Sequence, residues 1–64
     1  MTERLASFLK VHDVIERDGI DVRIETLRYT ASGVVVIEVQ SNNPAGPTGR
    51  WEYMLPPDEL VVIK

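Results

Sequence analysis

Residues 34–39 read Val-Val-Val-Ile-Glu-Val, a β-branched run that puts apolar side chains on both faces of any strand it forms. Such a strand belongs at the centre of a sheet, covered on two sides over at least its first half. Val34 and Val36 point away from Val35, Ile37 and Val39, so one covering element is not enough. Either the sheet curls into a small barrel, or a second copy of the chain packs on the Val34 and Val36 face. The chain has only 64 residues and no cysteine. A core of that size without disulfide or metal seldom supplies more than roughly 3 to 5 kcal/mol, and self-association is a usual remedy. A homodimer with Val34 and Val36 at its interface is the expectation.

The flanking segments supply the rest of a sheet. Ile20, Val22 and Ile24 alternate with Asp21, Arg23 and Glu25, the period of a strand with one buried face. The alternation slips at Thr26, leaving Leu27 and Tyr29 out of phase, which a β-bulge or sharp bend near Thr26 explains. Thr30-Ala31-Ser32-Gly33 has the chemistry of a hairpin turn closed by a bulge. Residues 41–50, with two prolines and two glycines and no apolar period, form a long exposed hairpin loop. Trp51, Tyr53 and Leu55 alternate with Glu52 and Met54 as a further strand, which Pro56-Pro57 ends. Asp58-Glu59 makes a tight turn into a short closing strand over 60–63.

The first seventeen residues read differently. Leu5, Phe8, Leu9, Val11 and Ile15 follow helical spacing from Thr2 to Arg17, with Thr2 as N-cap and Asp18-Gly19 as the stop. A competing reading makes Asp18-Gly19 the two-residue turn of a hairpin. That register sets Glu16 opposite Asp21 and Asp13 opposite Ile24, one like-charge pair and one mismatched pair, which favours the helix. The expected fold class is therefore α+β: one small domain over residues 1–64, with an N-terminal helix packed on a curved three- or four-stranded antiparallel sheet. The alternative is an SH3-like small β-barrel carrying an N-terminal helix. Residues 51–63, a strand, a proline-containing turn and a short final strand, resemble the closing elements of SH3-like barrels. The acidic and aromatic loop positions by which SH3 domains grip proline-rich peptides have no match here, so the resemblance implies no site.

Charge narrows the partners. Ten acidic residues face seven basic ones, for a net charge of -3, and the cations are spread along the whole chain. Counterion release from phosphates needs several cations on one surface, so nucleic-acid binding is disfavoured. Asp13, Glu16, Asp18 and Asp21 form the most negative stretch, read as a solvated cluster. No apolar segment approaches the roughly 20 residues of a membrane-spanning helix, and the N-terminal residues lack the pattern of a secretory signal. No membrane partner is expected, and the cytoplasm is the expected location.

No constellation for catalysis stands out. His12 is the single histidine, and with Glu16 it falls short of the three or four protein ligands of a metal site. Ser7, Ser32 and Ser41 lie outside any nucleophile motif, and Gly46 and Gly49 do not open a helix that would hold phosphate. Catalytic residues, metal and cofactor are all expected to be none. The aromatic residues Tyr29, Trp51 and Tyr53 with Arg50 are the best candidate binding surface, because such side chains bring large contact area at small entropic cost. The plainer reading places Trp51 and Tyr53 in the core beneath the helix. The expected role is a non-catalytic protein-interaction or accessory module that binds through this surface beside the 41–50 loop. The alternative is a small nucleic-acid binder in which Arg23, Arg28 and Arg50 follow phosphates while the rings stack on bases.

Overall fold

In the computed structural model, which describes residues 2–64, the valine run lies inside a six-stranded antiparallel sheet. The strands are β1 (Thr2–Leu5), β2 (Val14–Arg17), β3 (Ile20–Tyr29), β4 (Val35–Ser41), β5 (Arg50–Leu55) and β6 (Leu60–Ile63), in the spatial order β1-β6-β2-β3-β4-β5. One turn of 3-10 helix, Ala6–Phe8, follows β1. The expected N-terminal helix is absent, and with it the α+β class and the helix-bearing barrel. Of the residues that suggested a helical stripe, Leu9 and Ile15 enter the core while Phe8 and Val11 stay exposed, so they share no single face.

The hairpin is what forms in place of the helix. Asp18 and Gly19 both have positive φ, +52° and +76°, as a type I′ turn requires, and its twist matches the strands it joins. The register is the disfavoured one, with Glu16 opposite Asp21 and Ile15 opposite Val22. Its like-charge pair is bridged by a cation 43 positions after Asp21: Lys64 Nζ lies 3.0 Å from Glu16 Oε1 and 3.9 Å from Asp21 Oδ1. Asp13 and Ile24 meet through their backbones, with Ile24 N–H donating to Asp13 O at 2.9 Å and His12 N–H to Ile24 O at 2.8 Å. The mismatch of their side chains therefore decides nothing.

β3 carries the bulge. Ile24 pairs with Val39 and Thr26 with Glu38, leaving Glu25 as the extra residue. Ile24 and Leu27 thereby face the same side despite their odd separation, and the strand bends where the bulge sits. The fully buried side chains Ile15, Val22, Ile24, Val35, Ile37, Val39, Leu55 and Val61 line that inner side, joined by Ala6 and Leu9. Val36, on the outer face, is only 4% exposed in one chain, flanked by Arg28 and Met54 as its cross-strand neighbours. Val34 is half-buried.

The sheet curls. β2 and β5 are three strand spacings apart, about 14 Å in a flat sheet. Yet the Tyr53 hydroxyl on β5 donates to Asp18 Oδ2 at 3.2 Å, and the Arg17 guanidinium lies 5.4 Å from the Tyr53 ring centroid. The far end is tied by Arg17 to Glu59 and by Ala6 N–H to Glu59 O at 2.8 Å. The curl does not close into a barrel: β1 and β5 remain the two edges.

Candidate functional site

β5 alternates across the sheet, so the four residues of the expected aromatic and arginine surface divide. Trp51 and Tyr53 face inward, half-buried against the core, with ring centroids 6.5 Å apart in an edge-to-face arrangement. Arg50 faces outward, 3.8 Å from Glu25 Oε1 and 3.9 Å from Glu38 Oε1. Tyr29 lies at the end of β3, 52% exposed, and its hydroxyl donates to the Ser7 carbonyl at 3.1 Å, pinning the 3-10 turn. These residues do not make one continuous patch around the 41–50 loop.

That loop is folded back on itself and on β3. Asn43 Oδ1 accepts from Ala45 N–H at 3.0 Å, Asn43 O accepts from Gly46 N–H at 2.8 Å, and Ser41 Oγ accepts from Asn43 N–H at 3.2 Å. Asn42 N–H donates to Asp21 O at 2.9 Å. Asn43, Gly46 and Pro47 then form one wall of an open recess of about 220 Å³ against Gly19, Ile20 and Asp21. The loop thus leans toward the β2–β3 turn.

The outer face of β3, β4 and β5 is a ladder of ion pairs. Arg28 Nη2 lies 3.2 Å from Glu52 Oε2, Arg23 Nε lies 2.8 Å from Glu25 Oε2, and Arg50 bridges Glu25 and Glu38. Arg4 reaches Asp13 Oδ2 at 3.2 Å, an oxygen that also accepts from Lys10 N–H at 2.9 Å. Among the described residues six of the seven cations lie within 3.9 Å of a carboxylate, Lys10 being the exception. Arg23, Arg28 and Arg50 do share a face, but each faces a carboxylate that a phosphate would have to displace. The acidic stretch is likewise engaged: Asp13 by Arg4, Glu16 and Asp21 by Lys64, and Asp18 by Tyr53. A hydrogen bond from its ammonium to Glu16, and the nearby charges of Asp21 and Glu16, raise the Lys64 pKa above the usual lysine value.

His12 is exposed in the loop before β2, with φ +79°. No group of three potential metal ligands occurs among the described residues. No helix among them is long and apolar enough to cross a membrane.

The feature missed in the sequence is the free edge of β5. Thr30 N–H donates to Val34 O at 3.0 Å at one end of the β3–β4 pair, and Asn42 N–H to Asp21 O at 2.9 Å at the other. Both bonds aim the even-numbered backbone groups of β4 at β3, so Val35, Ile37 and Val39 aim theirs at β5. Their partners there are Leu55, Tyr53 and Trp51. The backbone N–H and C=O of Arg50, Glu52 and Met54 consequently face the open edge. Met54 is 70% exposed beside them. Pro56 has the same phase and offers no N–H, so the edge ends there. Its sequence signal was the proline pair that closes the strand.

Comparison with protein families, with curated proteins and with solved structures finds no match to this chain.

Proposed function

We propose that this chain is a non-catalytic protein-interaction module that accepts an extended segment of its partner as an added strand along β5. The observation that carries this reading is the unpaired β5 edge, with the backbone groups of Glu52 and Met54 facing outward beside an exposed Met54 side chain. Strand addition draws affinity from main-chain hydrogen bonds and specificity from alternate side chains. Here one side of an added strand meets Trp51 and Tyr53, and the other meets Arg50, Glu52 and Met54. Trp51 and Tyr53 remain binding residues as the inward wall of this edge, Arg50 as part of its charged outer wall. Tyr29, tied to Ser7 two strands away, falls outside it.

The test is selection of a random peptide library on the folded chain, with Met54→Pro as the discriminating variant. The Met54 N–H faces the edge and not β4, so proline there removes an edge donor without breaking the β4–β5 ladder. Selected peptides should lose at least about tenfold in affinity on Met54→Pro, equivalent to roughly 1.4 kcal/mol, while unfolding stays cooperative. A library that yields no binders, or binders held equally well by Met54→Pro, overturns the reading.

A further inference from the structure

The charges along the open edge select its occupant. Glu52 stands directly opposite Glu38 on β4, and Arg28 on β3 reaches it at 3.2 Å. On the other flank of Glu52 no strand lies among the described residues. Arg50, two residues earlier on the same face, is 3.8 and 3.9 Å from its two carboxylates, at the long end of ion pairing. The edge therefore presents an acid that meets a cation on its inner flank only and faces a like charge on β4, and, two residues away on the same face, a cation loosely held.

Resting on the edge reading above, we infer that the strand accepted by β5 is β5 of a second copy of this chain, paired antiparallel about a two-fold axis between the two Trp51 residues. A two-fold pairing must set outward-facing backbone groups opposite outward-facing ones, so the axis passes through a residue and not between two. An axis at Glu52 places that carboxylate against its own copy, repeating the unfavourable pair it already makes with Glu38. An axis at Tyr53 sets Glu52 against Met54 and Arg50 against Pro56, which has no N–H to donate. An axis at Trp51 sets Arg50 of each copy opposite Glu52 of the other, twice, with the two indoles facing across a close, non-hydrogen-bonded pair on the inner side. Only this register is complementary at every charged position.

The surroundings leave room for it. The 42–47 segment leans toward Gly19, Ile20 and Asp21 and away from the β5 edge. Gly49, at φ +86°, turns the chain just before Arg50, and Pro56 stops the ladder at the other end. The shared ladder is short, so association is concentration-dependent.

Sedimentation of the full chain across a concentration series tests this, with far-UV circular dichroism on every variant. The mass should rise from 7.2 kDa toward twice that value. Glu52→Arg alone and Arg50→Glu alone should each weaken association at least about tenfold, since each sets like charges opposite in the pair. An equimolar mixture of the two should associate again, as should the double exchange Arg50→Glu with Glu52→Arg, and this recovery separates register from any loss of folding. A wild-type chain that stays monomeric up to about 1 mM overturns the inference; if library peptides still bind with Met54→Pro sensitivity, the edge reading survives it. A dimer lost on Met54→Pro but indifferent to the charge reversals overturns the register. A dimer that persists in Glu52→Pro, whose N–H the shared ladder uses whereas that of Met54 faces no strand, overturns self-pairing through this edge, and the edge's role for other strands is then read from the peptides alone.

Discussion

Lys64 determines whether the β2–β3 register is tolerable. Its ammonium lies 3.0 Å from Glu16 and 3.9 Å from Asp21, two carboxylates set opposite each other across the hairpin. Because its pKa is raised in the folded chain, through the hydrogen bond to Glu16 and the charges of Asp21 and Glu16, the folded state holds its proton more tightly than the unfolded state does. That contribution is complete below the ordinary lysine pKa and is lost as pH climbs through the raised one. Lys64→Met should therefore lower the denaturation midpoint at neutral pH, with the gap to wild type closing at strongly alkaline pH. Paired urea titrations across that range check it; a pH-independent gap would assign the effect to packing of the lysine stem. The same residue is why local pairing disfavours a hairpin that nonetheless forms: the compensating charge is remote in the chain and lies outside the pair Glu16 and Asp21.

At the scale of elements, β2 and β3 depend on one turn. Asp18 and Gly19 both occupy positive φ, and only glycine does so without a Cβ penalty. Gly19→Ala should cost about 1 to 2 kcal/mol, read as a shift in the urea midpoint at unchanged slope. The strands from Ile20 onward were legible because alternation, turn residues and prolines each mark their own position. The phase slip near Thr26 and the turn at 30–33 were visible for the same reason. The segment before Asp18 was not, because apolar residues at positions 5, 8, 9 and 15 fit a helical period as well as two short strands joined by a 3-10 turn. Strands β1 and β2 are four residues each, too short for alternation to outvote that period.

For the whole molecule, curvature decides what is buried. The bulge at Glu25 lets Val22 and Ile24 share the inner face with Leu27 while bending β3, and the bend brings Tyr53 to Asp18 and Arg17. Deleting Glu25 would restore an unbroken ladder with the apolar residues still inward, but without the bend. Such a chain should stay folded while the Trp51 emission shifts to the red, as the inner wall of β5 opens to water. Glu25→Gln, which keeps the bulge and alters only the side chain, should leave the emission in place. Val36, on the outer face, is covered within one chain between its cross-strand neighbours Arg28 and Met54, so its protection from water does not require the second copy that the valine run suggested.

Local chemistry along the chain is enough for the central valine strand, the alternating strands from residue 20 on, the glycine turns and the proline stop. It also places Trp51 and Tyr53 on one face of a strand. Tertiary contacts fix the first seventeen residues, the pairing of Glu16 with Asp21 and the open edge of β5. Each of these depends on which strand lies beside which. A side chain's period can be read along one chain, but a compensating charge, a covering neighbour or a missing one belongs to residues far apart in sequence.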